Sequence, residues 1–235
     1  MDARIYIMAH KEFEIPHKEG YLPLQVGREG KCDLGYLCDN SGEHISEKNA
    51  SYCELTGLYW IWKNVQCDVA GICHYRRYFV WRETEAVQMS LEQKLLGLSY
   101  IEESLKSYDM IIPDSGMTRY GSVRRHYEDR HHIADLMTCG EVLREKYPAD
   151  YPAFCWNLDI NFVSLGNMMI APKPILDQYC EWLFDILFET EKRIDIQGYD
   201  DYQKRVFGFL SERLFRVWIL NRRVKVREEA VIFLQ

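Results

Sequence analysis

The sequence predicts an α/β fold built on a mostly parallel sheet flanked by helices. Short apolar runs typical of strands alternate with longer segments in which apolar residues recur every three or four positions. Apolar residues make up 47% of the 235 residues, which is enough to form a sizeable core. No repeat, low-complexity tract or linker interrupts the sequence. We therefore expect one domain over residues 1–235.

In the first half of the chain, the residue pattern predicts three strands and two helices. The strands cover residues 4–9, 68–73 and 109–113, and the second helix covers residues 91–107. Asn49 or Ser51 suits the start of the first helix, which ends near Asn64. Before it, a polar stretch of about twenty residues follows Arg28, and long loops of this kind often bind ligands.

The second half adds two long helices and two strands. Residues 116–132 are rich in Arg, His and Tyr, which fits either a mobile segment over a site or a helix with a polar face. A strand at residues 168–171 is stopped by Pro172, and Pro174 suits the first turn of a helix that runs to about Lys192. A last helix covers residues 202–221 and a last strand residues 224–234.

Composition argues against several classes of protein. The net charge is −7, so no general positive field attracts nucleic acid. The first residues do not resemble a signal peptide, and no stretch approaches the roughly 18 apolar residues that cross a bilayer. We expect a cytoplasmic protein with at most peripheral membrane contact. The eight cysteines form no C-x-x-C, so neither a zinc ribbon nor a redox motif is expected.

The usual nucleotide and hydrolase signatures are missing from the sequence. It contains no G-x-G-x-x-G after a strand, no Walker phosphate loop, no G-x-S-x-G and no H-E-x-x-H. Dinucleotide-binding proteins, P-loop enzymes, α/β-hydrolases and zinc proteases are therefore disfavoured.

The most informative polar block follows the strand at residues 68–73 and comprises His74, Tyr75, Arg76 and Arg77. Two adjacent arginines repel each other, and a diphosphate held by bidentate hydrogen bonds would offset that repulsion. Strands of open α/β sheets deliver binding groups at their carboxyl ends. The alternative is an ordinary surface arginine pair with the tyrosine packed inward. We expect a phosphate-binding role for this block.

His10 and Lys11 end the first strand. They can lie beside the arginine block, because parallel strands end at the same edge of a sheet, although a lone loop histidine is more often simply solvated. Asp39 and Asn40 belong to the long polar loop, where short polar side chains either hold ribose and sugar hydroxyls or form turns. All four are candidate donor-binding residues.

Three further positions suit sugar chemistry. Glu54 begins a helix and can bind sugar hydroxyls. Asn167 follows Gly166 before a strand and can do the same, although a plain loop-to-strand junction is the alternative. Glu212 stands on the last helix, where its carboxylate can act as a general base or simply pair with a neighbouring arginine on the surface. Asp159 is the second candidate for the base.

The sequence resembles a bacterial family found in capsular and exopolysaccharide biosynthesis, long catalogued only as a domain of unknown function. The ELTGLYW block at residues 54–60 and the HYRRYF block at 74–79 carry the resemblance most distinctively, and it extends over nearly the whole chain. The family is regarded as glycosyltransferase, and some members are associated with galactose or galactofuranose transfer from uridine-diphosphate (UDP) donors. The resemblance implies a GT-A-like fold, with a donor-nucleotide half over about residues 1–115 and an acceptor half over 116–235.

The resemblance also implies partners and raises the question of a metal. A UDP-sugar donor and a glycan or lipid-linked glycan acceptor are expected, at the inner face of the membrane. Many GT-A enzymes carry an Asp-x-Asp metal motif where this chain has residues 74–77, and no such motif is present. We therefore expect no Mn²⁺ or Mg²⁺ requirement, since the arginines can neutralise the leaving diphosphate. The remaining metal candidates are Asp200 with Asp201, and Asp159 with Asn161.

Two other functions stay open at this point. One is a non-catalytic subunit that binds a sugar nucleotide or glycan within a polysaccharide assembly complex. The other is a nucleotidyltransferase, which is disfavoured because its metal-binding carboxylates are not visible in the sequence.

Overall fold

The computed structural model describes residues 1–82 and 88–234 and has the predicted α/β class. Its strands are β1 (Ala3–Ala9), β2 (Tyr21–Gln25), β3 (Leu37–Cys38), β4 (Val69–His74), β5 (Arg77–Val80), β6 (Met110–Pro113), β7 (Gly116–Met117), β8 (Phe162–Val163), β9 (Met169–Pro172) and β10 (Val226–Phe233). Its helices are α1 (Asn49–Tyr52), α2 (Leu55–Asn64), α3 (Leu91–Lys94), α4 (Leu98–Leu105), α5 (Val123–Arg130), α6 (Ile133–Lys146), α7 (Tyr151–Asp159), α8 (Lys173–Glu191) and α9 (Val206–Arg222).

The main sheet is mixed rather than simply parallel. Strands β3, β2, β1 and β4 pair in parallel in that order, and β6 pairs in parallel with β10. Strand β9 lies antiparallel between β4 and β6, and β5 lies antiparallel between β4 and β10. Strands β4, β5, β10, β6 and β9 therefore close into a five-stranded ring, which the sequence did not predict.

The ring depends on a tight reversal within the HYRRYF block. The 74–77 block was expected to present binding groups at the end of a strand, and a second strand directly after it was not predicted. Only Tyr75 and Arg76 turn the chain before β5 begins. His74 then pairs with Arg77 across the hairpin. The turn contains none of the Gly, Asn or Asp residues that usually signal a two-residue hairpin, so the pattern did not reveal it.

Both faces of the central strands are buried, as expected of parallel strands covered by helices. In β1, Ile5 and Ile7 join one apolar cluster, whereas Tyr6 and Met8 join the other, larger one. Gly57 lets α2 approach this second face closely. A Cβ at that position would lie 2.6 Å from the sulfur of Met8 and 2.8 Å from Cγ1 of Val26. The glycine of the ELTGLYW block is therefore a packing residue.

Several predicted helix boundaries were wrong. The helix expected over residues 91–107 is divided into α3 and α4, because Leu95 leaves the helix to bridge to Val80. Asn49 begins the separate short helix α1. Cys53, with φ of +52°, ends this helix before α2 begins. Helices α6 and α7 were not predicted. Within the described ranges, no helix combines the length and apolarity needed to span a bilayer.

Candidate functional site

A cleft of about 1290 Å³ opens at the carboxyl ends of β1 and β4. These strands are neighbours, and their parallel register sets Met8 beside His74. The residues that follow the strands therefore meet, and the ring of His10 contacts the ring of Tyr75 edge-on with 5.3 Å between centroids. The structure thus brings the end of the first strand together with the 74–77 block, as the sequence predicts.

The cleft is basic although the whole chain is acidic. Its lining contains eight lysines and arginines and only four carboxylates, against a net charge of −7 for the chain. This excess of positive charge favours an anionic ligand. The basic residues are Lys31, Arg76, Arg77, Arg119, Arg130, Lys204, Arg205 and Arg213, and the acids are Glu54, Asp114, Asp201 and Glu212.

Arg76 and Arg77 present exposed guanidinium groups at the cleft surface. The group of Arg76 lies over the ring of Tyr75, at 5.0 Å from its centroid, and that of Arg77 lies over Phe233 at 5.5 Å. Stacking on an aromatic face orients a guanidinium and leaves its N–H edge free for hydrogen bonding. Both arginines are therefore suited to grip an oxyanion.

Glu212 of helix α9 is linked to the end of β4 by hydrogen bonds that pass through Gly166. One carboxylate oxygen, Oε1, accepts a 2.7 Å hydrogen bond from the backbone N–H of Gly166, and Oε2 accepts one of 2.8 Å from Arg213. The carbonyl of Gly166 in turn accepts a 2.6 Å hydrogen bond from Nε2 of His74. Gly166 has φ of +107°, a conformation that side-chain-bearing residues rarely adopt.

Asn167 supports the second carboxylate of the cleft. Its side-chain amide donates to Glu54 at 2.7 Å and to the carbonyl of Gly208 at 3.2 Å, and its oxygen accepts a hydrogen bond from Ser211 at 2.7 Å. Asn167 is buried and is not part of the cleft lining, whereas Glu54 is. Of these two predicted donor-binding residues, Glu54 lines the cleft, and Asn167 hydrogen-bonds to Glu54 from the buried side.

Burial shifts the pKa values of Glu212 and His74, the two side chains that hydrogen-bond to Gly166. It raises the pKa of Glu212, and the nearby charge of Glu54 acts in the same direction, while Arg213 and the Gly166 N–H oppose the shift. Burial lowers the pKa of His74 below its ordinary value of 6.5. At neutral pH His74 is therefore an uncharged donor to Gly166, and Glu212 is a stronger base than an exposed carboxylate.

Asp39 lies away from the cleft. Its side chain is fully buried and accepts hydrogen bonds from the backbone N–H groups of Gly27 and Arg28, at 2.7 and 3.0 Å. The hydroxyls of Ser46 and Thr56 also donate to it, each at 2.6 Å. Asp39 thus organises the long polar loop, and its carboxylate is occupied by the chain itself.

Three other predicted residues do not line the cleft. Asn40 donates to a carboxylate in its own loop at 3.3 Å. Lys11 stays close to the site, with its ammonium group 5.5 Å from the ring centroid of Tyr75. Asp159 is exposed at the end of α7, with its carboxylate 3.8 Å from the guanidinium of Arg124. Of the two candidate bases, only Glu212 therefore faces the cleft.

Sequence reasoning missed other residues that line the cleft. Arg205, just before α9, donates to the sulfur of Cys53 at 3.3 Å, and a lone arginine there gave no signal. His126 and His131 come from the Arg-, His- and Tyr-rich segment at 116–132. That segment forms α5 and its flanks, so the alternative of a helix with a polar face was the better interpretation.

The residues predicted as possible metal ligands do not lie together in one group. Across residues 1–82 and 88–234, no three His, Cys, Asp or Glu side chains are arranged to hold a metal ion. Asp200 accepts a 2.8 Å hydrogen bond from the backbone N–H of Gln203, and Asp201 lies on the rim of the cleft, 3.4 Å from Lys204. Activity without Mn²⁺ or Mg²⁺ stays a prediction.

The sequence matches a known family along most of its length. The family described as a domain of unknown function (DUF4422) matches residues 4–223. The chain belongs to this family. Membership in DUF4422 agrees with the resemblance inferred from the ELTGLYW and HYRRYF blocks. No curated protein matches the chain.

This DUF4422 chain is also similar to a solved structure, described as the apo form of the bifunctional glycosyltransferase WbbM. The two share 29% sequence identity with a TM-score of 0.91. The match covers 100% of this chain and 46% of the other, so the chain spans just under half the length of that protein. The mixed α/β architecture described above is thus similar to part of a known glycosyltransferase.

Proposed function

We propose that this chain is a glycosyltransferase that moves a sugar from a nucleotide donor onto a glycan acceptor. The observation that carries the proposal is the basic cleft at the ends of β1 and β4, with Glu212 held in its wall. A departing diphosphate needs positive charge and an attacking hydroxyl needs a base, and this cleft offers both. The likeness of the whole chain to part of a glycosyltransferase supports the same reaction class.

The donor in this proposal is a UDP-sugar, with galactose or galactofuranose as the sugar implied by the family resemblance. Arg76 and Arg77 bind the diphosphate, and His10 and Tyr75 lie where the nucleoside end can reach them. The fold of the donor half is GT-A-like in this proposal. Strands β3, β2, β1 and β4 support it, since they pair in parallel and the cleft opens at the carboxyl ends of β1 and β4.

Glu212 is the proposed general base. The acceptor hydroxyl gives its proton to the Glu212 carboxylate as its oxygen bonds to the anomeric carbon of the donor sugar. The bond between that carbon and the phosphate oxygen breaks through an oxocarbenium-like transition state, and UDP leaves with the electron pair. Burial favours this role, because it raises the pKa of Glu212 toward the range in which a carboxylate accepts protons effectively.

Arg76 and Arg77 supply the charge that a metal ion supplies in many GT-A enzymes. Fixed guanidinium groups can stabilise the leaving diphosphate without reorganising during the reaction. The biological setting in this proposal is the synthesis of capsule or exopolysaccharide in a bacterial cytoplasm, at the inner face of the membrane. The acceptor there is a glycan or a lipid-linked glycan, as the family resemblance implies.

A panel of nucleotide sugars tests this proposal. The protein is incubated with each donor, with and without glycan acceptors, and release of the nucleoside diphosphate is measured. We expect one UDP-sugar to be consumed, faster when a suitable acceptor is present. Tight binding of a sugar nucleotide without turnover, whatever the acceptor, would instead identify a non-catalytic binding subunit.

A further inference from the structure

One wall of the cleft is formed by stacked rings from two separate segments of the chain. The imidazole of His131, just after α5, stacks on Phe209 of α9, with 3.9 Å between centroids and 26° between planes. Tyr202, which is 50% exposed, extends the stack, lying 5.8 Å from His131 and 5.2 Å from Phe209. All three rings line the cleft. The guanidinium of Arg205 borders this aromatic wall, at 5.6 Å from the centroid of Phe209 and 5.9 Å from that of Tyr202.

The hydrogen bonds of Gln203 determine which nitrogen of His131 carries the proton. The side-chain amide nitrogen of Gln203 donates to the carbonyl of Arg130 at 2.8 Å, so its oxygen faces Nδ1 of His131 at 3.3 Å. Nδ1 must then be the donor. Burial, together with the charge of Arg213, lowers the pKa of His131 to about 4, so the ring is neutral at pH 7. Nε2 is left as a hydrogen-bond acceptor.

The stacked rings are connected to the proposed base through Arg213 and Tyr127. Arg213 donates to Oε2 of Glu212 at 2.8 Å, and its guanidinium lies over the ring of Tyr127, 4.9 Å from the centroid. Tyr127 in turn contacts His131, with 4.8 Å between centroids. The 74–77 block reaches the other oxygen, Oε1, through His74 and Gly166. The two parts of the cleft thus approach Glu212 through different oxygens.

We infer that the wall formed by His131, Tyr202 and Phe209 binds a sugar ring of the acceptor. The inference rests on the proposed function, in which Glu212 activates an acceptor hydroxyl. The C–H-bearing face of a pyranose carries partial positive charge and packs on the negative face of an aromatic ring. A hydroxyl of the same sugar donates to Nε2 of His131. Stacking and one directed hydrogen bond together select a sugar in one orientation.

A nucleobase also stacks on aromatic rings, but the position of the wall favours a sugar. In a nucleotide sugar the base is separated from the reacting carbon by a ribose and a diphosphate. The acceptor hydroxyl, in contrast, must touch the general base as it attacks. The wall adjoins Glu212 through Arg213 and Tyr127, which suits the acceptor.

Two variants and a control test the assignment. Phe209→Leu removes a ring, His131→Phe keeps the ring and removes the acceptor nitrogen, and Arg125→Ala removes an exposed charge from α5 outside the cleft. Binding of octyl glucoside, octyl galactoside and octyl mannoside is titrated by saturation-transfer NMR with excess UDP. The affinity for UDP itself is measured by calorimetry, and the melting temperature of each variant reports whether it has folded.

We expect Phe209→Leu and His131→Phe to weaken binding of the preferred glycoside by roughly 3- to 10-fold. The loss should exceed any change in UDP affinity, and Arg125→Ala should match the wild type. A UDP affinity that falls as far as the glycoside affinity would reassign the wall to the nucleobase and overturn the inference, as would unchanged glycoside binding. If the glycosides bind as expected while no nucleotide sugar is consumed, the proposed function fails and the sugar subsite stands.

Discussion

Replacement of Glu212 by Gln separates its proposed catalytic role from its structural one. The amide oxygen of Gln can still accept the 2.7 Å hydrogen bond from Gly166, but its NH₂ group then faces Arg213 and cannot accept from it. Loss of one charged hydrogen bond costs about 1.5–3 kcal/mol of stability. For a chain of this length that lowers the melting temperature by roughly 3–12 °C.

The expected loss of activity is larger than this structural cost. A general base typically contributes about 10²- to 10⁴-fold in rate, which equals roughly 3–5.5 kcal/mol of transition-state stabilisation. Sugar transfer by Glu212→Gln should fall by that factor at a temperature well below its melting transition, while the variant still binds donor. Transfer is followed by mass spectrometry of the glycosylated acceptor, and donor binding by calorimetry.

Asp159→Asn is the matched control, because it makes the same carboxylate-to-amide change at an exposed site outside the cleft. We expect it to transfer sugar at the wild-type rate. Wild-type transfer by Glu212→Gln would show that Glu212 is not the base, and if Asp159→Asn were inactive at the same time, the base assignment would move to Asp159.

Further predictions follow from the charges and packing around the cleft. Arg76→Ala or Arg77→Ala should weaken donor binding by about tenfold or more in calorimetry, through loss of a charged hydrogen bond, while Arg125→Ala binds like the wild type. Transfer should persist in EDTA, and complete loss restored by Mn²⁺ would contradict the role of the arginines. In a pH–rate profile, transfer should rise as Glu212 loses its proton, at a pKa above its ordinary value of 4.5, and this limb should vanish in Glu212→Gln. Gly57→Ala should lower the melting temperature, since its methyl group has no room against the sheet, and an unchanged melting temperature would show that α2 can shift.

The sequence predicted the part of the site that depends on neighbouring strand ends. The sequence could predict that His10 lies close to the 74–77 block, because parallel strands end at the same edge of a sheet. The family blocks also indicated the reaction class. Glu212 was a weaker prediction, because a glutamate beside an arginine on a helix is common on surfaces, and only its contact with Gly166 sets it apart.

Residues brought in by tertiary packing could not be predicted. His131 and Phe209 are far apart in sequence, and their stacking depends on how α5 and α9 lie in the fold. Asp39 shows the opposite problem, since an aspartate in a polar loop has the same local pattern whether it binds a ligand or the backbone. Complete burial with four internal hydrogen bonds decides the question, and burial is not visible in a local pattern.

A crystal structure of the protein with UDP tests most directly whether the basic cleft binds the diphosphate of a nucleotide sugar. We predict that the diphosphate oxygens lie within hydrogen-bond distance of Arg76 or Arg77, with the terminal phosphate directed toward Glu212. UDP bound outside the cleft, or in the cleft with its diphosphate away from both arginines, would rule out diphosphate binding by Arg76 and Arg77.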